Sequence, residues 1–130
     1  MLQWLEFWEL IGLGKEDPDA LNSRIARFSE ADLVEFYWIY EEAAADLKDE
    51  EFTEHLTCPR TEDYVDDIAQ WVVAQGLDYY ESIMTDPSKI PAELPPGAVP
   101  PPWTGAASEF YRERYGTPVR FREDPPPRNS

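Results

Sequence analysis

A chain of 130 residues that is 42% hydrophobic and 14% aromatic is long enough for one globular domain with a buried core. Its 27 acidic residues against 11 basic ones give a formal charge of −16, which repels phosphate backbones and anionic lipid surfaces and argues against direct nucleic-acid or membrane binding. A lone cysteine, Cys58, excludes both an intramolecular disulfide and a thiolate zinc site.

From the start of the chain, Leu2 to Ile11 reads as a short helix, with Trp4, Phe7, Trp8 and Ile11 at helical spacing; Gly12 and Gly14 are expected to stop it. The same stretch has no cationic leader and carries Glu6 and Glu9, so it does not read as a signal peptide. No apolar run approaches membrane-spanning length, and a cytoplasmic protein is expected. Asp17-Pro18 opens a second helix that reaches Phe28, with Leu21, Ile25 and Phe28 as its apolar stripe. Ser29 and Asp32 have the form of a capping box before a longer helix. That helix has one broad stripe, from Leu33, Phe36, Tyr37 and Tyr40 to Leu47, and a second through Val34, Trp38 and Ala45, which predicts burial on two sides.

Residues 48–57 read as a charged turn of helix ended by Pro59. Thr61 is the expected N-cap of the next helix, with Glu62 and Asp63 in its first turn and Gly76 as a left-handed C-cap. Leu77 to Thr85 make another short helix closed by Asp86-Pro87. Ten of the 13 prolines lie at or after Pro91, so an extended polyproline-like strap is predicted there, with Trp103 as an anchor. Ala106 to Tyr115 form a last helix, with Phe110 and Tyr111 inward and Gly116 at its end. A short basic tail follows, in which Val119 and Phe121 alternate, and Arg122 onward is expected to fray.

The residues that invite a chemical reading are the carboxylates of 61–75. At 100° per residue, Tyr64, Ile68, Trp71 and Val72 share one face, while Asp63, Asp66, Asp67 and Gln70 share the other. A solvated acidic face is the ordinary meaning of that pattern. A hard-cation site built on Asp63 and Asp67 lacks the oxygen ligands it needs, and a glycosidase pair needs two acids facing across a cleft. His55 and Cys58 sit at a helix end, where neighbours at this spacing rarely make a nucleophile and base. An aromatic stripe is ordinarily core; the other reading is a pocket lined by Trp8, Trp71, Tyr79 and Tyr80.

Phe7-Trp8-Glu9-Leu10-Ile11, Thr61 to Ile68, Trp71 to Gly76, Tyr80-Glu81 and Asp86-Pro87-Ser88 together resemble the bacterial domain-of-unknown-function family 4240, over about residues 4–92 with order and spacing kept. Thr61 stands where the family has Ser, Pro59-Arg60 where it is rich in Gly and Cys, and Ala69 where Arg is usual. The resemblance implies a fold and carries no reaction with it.

The expected fold is all-α, a compact single-domain bundle of about five or six helices with a proline-rich strap before the last. Residues 1–94 are expected to form an acidic helical core, with 23 acids and 6 bases, and residues 95–130, with 4 acids and 5 bases, a strap, helix and tail packed on the same domain. The leading functional expectation is a small interaction or regulatory module without catalytic activity. It presents the face of Glu62, Asp63, Asp66, Asp67 and Gln70 to a basic protein partner and uses no metal and no cofactor. The alternative is a small-ligand-binding protein or enzyme that uses the aromatic pocket with carboxylates.

Overall fold

The computed structural model of the chain describes residues 1–57, 61–99, 101–122 and 128. Cys58, Pro59 and Arg60, and with them any pairing of Cys58 with His55, lie outside the described residues, as does most of the tail expected to fray. The described residues hold seven α-helices, one short 3-10 turn and no strand. None of these helices is long and apolar enough to cross a membrane.

The chain divides into two compact units, Met1–Glu41 with Pro102–Ser130, and Glu42–Pro101. The first unit contains α1 (Trp4–Glu16), α2 (Pro18–Ala26), the longer part of α3 (Glu30–Asp46) and α7 (Trp103–Tyr115). The second contains the end of α3, α4 (Glu50–Thr53), α5 (Glu62–Ala74), α6 (Leu77–Thr85), the 3-10 turn Pro87–Lys89 and the proline-rich segment.

In the first unit, α1 runs straight through both glycines expected to end it. The reason is packing. A Cβ on Gly14 would lie 2.4 Å from Leu21 Cδ2 and 3.2 Å from the Trp103 ring, so this glycine is where α1 takes the close approach of α2 and α7. The stop comes three residues later at Asp17, whose side chain then accepts from Ala20 N–H and starts α2 around Pro18. Ser29 Oγ accepts from Asp32 N–H at 3.2 Å and starts α3, as its sequence predicts. Phe7 lies against Phe36 (5.3 Å between ring centres) and Tyr40 (5.9 Å), with Leu21, Ile25 and Leu33 fully buried in the same unit. The second stripe predicted for α3 is only partly realised: Val34 is buried, Trp38 half-buried and Ala45 exposed. Trp103 is buried at the start of α7, three residues before the expected start, and Gly116 ends the helix at φ 73°. Phe110, expected inward with Tyr111, is only half-buried.

In the second unit, Thr61 Oγ1 accepts from Tyr64 N–H and starts α5 as predicted. The buried stripe of α5 is Ile68, Ala69, Val72 and Val73; Tyr64 and Trp71, expected in the core with Ile68, are half-buried at its flank. Gly76 has φ 112° and ψ 173°, so it is an extended positive-φ corner that begins α6 and not the left-handed cap expected. The proline-rich segment is not extended throughout. Ala98 N–H donates to the Pro95 carbonyl around Pro96 and Gly97 (φ 80°), the residue pattern of a type II turn. Leu94 N–H donates to the Tyr64 hydroxyl at 2.9 Å, and Thr57 N–H to the Ala92 carbonyl, which together tie the segment to this unit.

Candidate functional site

Charge is unevenly divided between the two units. Glu42–Pro101 carries 14 acids against 3 bases, a formal −11, whereas the larger first unit carries 13 against 8, a formal −5. The second unit presents these acids helix by helix. Glu50 and Glu51 are exposed on α4, Glu62 and Asp63 on α5, and Asp78 and Glu81 on α6. Most of them stand in a first turn, where the helix dipole favours a carboxylate.

The five residues expected to share a face of α5 differ in exposure. Glu62 and Asp63 are exposed, while Asp66, Asp67 and Gln70 are half-buried, contrary to the expectation of a solvated face. Asp66 is engaged twice: Lys48 Nζ lies 2.6 Å from its Oδ1 and Gln70 Nε2 donates to its Oδ2 at 3.2 Å. At about a third exposed on each side, the Lys48–Asp66 pair is worth roughly 0.2–1 kcal/mol and serves mainly to pin the side of α5. Among the described residues no group of three or more His, Cys, Asp or Glu side chains converges in a way that would hold a metal ion.

The four aromatics suggested as a pocket divide between the units. Trp8 belongs to the first, edge-on to Trp4 at 5.5 Å and to Phe7 at 5.1 Å. In the second, Trp71 and Tyr79 meet edge to face at 5.9 Å, and partial burial raises the Tyr79 phenol above its ordinary pKa. Tyr80 is buried and donates to Asp46 Oδ2 at 3.1 Å, a supporting contact inside the unit. A cavity of about 350 Å³ does open in the first unit. Leu2, Leu10, Leu13 and Phe28 line it with Glu6, Glu9, Asp32 and Arg24, and none of the four proposed aromatics takes part. Asp86, whose carboxyl the Ser88 hydroxyl and N–H hold below its ordinary range, sits on exposed surface of the second unit.

A polar constellation that the sequence did not reveal lies on α3. Glu35, between buried Val34 and Phe36, is only 3% exposed. Its Oε2 receives Arg122 Nη1 at 2.5 Å, across 87 residues of sequence. Trp38 Nε1 donates to the Arg120 carbonyl at 2.8 Å, and the Phe121 ring stacks on Trp38 at 5.2 Å and 25°. Tyr111 Oη donates to Glu30 Oε2 at 2.8 Å; burial first and this hydrogen bond second raise its pKa. The one local sign of all this was a glutamate inside the apolar run Leu33 to Phe36. Arg122, expected to fray, is thus held on the first unit together with Arg120 and Phe121.

A family model described as "Protein of unknown function (DUF4240)" matches residues 3–115 of the chain. No curated protein and no solved structure matches it.

Proposed function

We propose, for a chain that belongs to the DUF4240 family, a role as a binding module whose Glu42–Pro101 unit presents an acidic face to a basic protein partner. The observation that carries this reading is the −11 charge of that unit, spread over exposed pairs of acids on three successive helices. Helix capping accounts for part of the pattern, at about 0.3–1 kcal/mol for each carboxylate near a helix start. It does not account for the excess, because solubility asks for a net charge of magnitude only about 2–8 in a whole small domain. So much uncompensated charge raises the energy of the folded unit, and a cationic partner offsets that cost by replacing diffuse counterions with fixed opposite charges.

The test is capture on the immobilised chain at low and high ionic strength, compared with a Glu62→Gln/Asp63→Asn/Asp67→Asn variant. Asp66 is left intact there because it holds Lys48 and Gln70. Basic proteins retained at low salt by the natural chain and lost on the variant are the expected result. Identical retention on both would remove the basis for the reading.

A further inference from the structure

We propose that the face of α3 bearing Glu30, Glu35 and Trp38 is a receptor for an arginine–aromatic–arginine segment of a protein partner, and that Arg120-Phe121-Arg122 occupies it in cis as a built-in competitor. Three consecutive residues of the tail are each engaged by a residue of one helix. Arg120 lies 3.8 Å from Glu30 and gives its carbonyl to Trp38 Nε1, Phe121 stacks on the Trp38 ring, and Arg122 pairs with Glu35. The Arg122 and Glu35 side chains are 9% and 4% exposed, so this contact is closed around a guanidinium. Phe121, by contrast, is 82% exposed, stacked by one face only, which places the segment on the surface of the unit and not within its core. The family match ends at residue 115; every receptor residue lies inside it and every occupant residue after it.

The chemistry specifies the ligand. A carboxylate set between Val34 and Phe36 is costly to bury unless a cation pairs with it, and a guanidinium does so with a planar fork of donors that an ammonium lacks. An indole offered face-on with its N–H turned to a backbone carbonyl reads an aromatic residue and the chain beside it. Only Gly116 to Val119 separate the end of α7 from Arg120, and so short a tether holds the tail at an effective concentration of about millimolar. A free segment of about 10–100 μM intrinsic affinity therefore sees the site weakened about ten- to a hundredfold until the tail is displaced. All of these residues lie in the first unit, so the inference stands apart from the acidic-face reading.

The probe is a fluorescent hexapeptide with the sequence of Thr117 to Arg122, titrated by anisotropy against the whole chain and against an Arg120→Ala/Phe121→Ala/Arg122→Ala variant of it. The peptide is expected to bind the variant at least about tenfold more tightly than the natural chain. Adding Glu35→Gln to the variant, or Arg122→Lys to the peptide, should remove most of that affinity. If the variant is unfolded, saturating peptide should restore its helical circular dichroism. A folded variant that binds no better than the natural chain overturns the proposal, as does an unfolded one that the peptide does not rescue, or binding indifferent to Glu35→Gln. A dimer of the natural chain dispersed by Arg122→Ala would assign this face of α3 to the tail of a second copy and overturn it too.

Discussion

Arg122 and Glu35 show how one buried pair is weighed. Breaking an ion pair sealed inside a core costs about 3–5 kcal/mol, because the orphaned charge has no water. Here the partner is carried on a segment beyond α7 whose Phe121 is 82% exposed, so water is expected to reach Glu35 once Arg122 is gone. Arg122→Ala is therefore expected to cost about 1.5–3 kcal/mol in chemical denaturation, the range of a hydrogen bond to a charged group. A loss of about 5 kcal/mol would mean that Glu35 stays dry and the tail belongs to the core. Tyr111 gives a pH signature at the same scale. Its phenol is raised above the ordinary 10.0, so the neutral form is the one the fold favours. The stability it contributes is fully present below pH 10.0 and disappears as pH rises through the folded-state value. A spectrophotometric titration should show Tyr111 ionising late, together with Tyr37 and Tyr79, and Tyr111→Phe should take one phenol out of that late step. A phenolate formed at the ordinary pH would contradict the Tyr111–Glu30 contact.

Among the helices, the two glycines of α1 make a matched pair with opposite expected signs. Gly12 has no atom within 4 Å of an added Cβ, so Gly12→Ala should stabilise by about 1 kcal/mol through helix propensity alone. At Gly14 the same gain is opposed by a clash with fully buried Leu21 and with Trp103, and overpacking costs about 1–3 kcal/mol. Gly14→Ala should therefore come out net destabilising in a denaturant titration, and equal effects at both positions would contradict the close approach of α1 and α2. Read from sequence, both glycines look like stop signals, because the residues that make Gly14 necessary are as far away as Trp103. Local signals fared better: Asp17, Ser29 and Thr61 each cap the helix that follows, since a cap is decided within three residues. The buried face of α5 was misplaced for a related reason. Ala69 is small and gives little periodic signal beside Trp71, yet a small residue is what sits fully buried, and the large ring rides the flank with Tyr79. The Glu35–Arg122 pair, 87 residues apart, leaves in sequence only an out-of-place glutamate.

Over the whole molecule the governing quantity is charge. Its total is plain in the sequence, but its concentration in Glu42–Pro101 emerges only when the chain returns to place Pro102 onward with the first unit. Self-repulsion in a −11 unit should make the protein more stable in salt, because screening relieves many like-charge terms and weakens few exposed pairs. A melting temperature that rises between ~0.05 and ~0.5 M sodium chloride is expected, over an interval in which the screening length shortens about threefold. A steady fall would mean that attractive pairs dominate. The same physics governs association. The most direct test is the association rate with a captured basic partner, followed by stopped flow over that range of salt. The rate is expected to fall steeply as salt rises, and to fall similarly at low salt for Glu62→Gln/Asp63→Asn/Asp67→Asn with its helical content unchanged. An association rate that ignores both salt and these three substitutions would contradict the acidic-face reading.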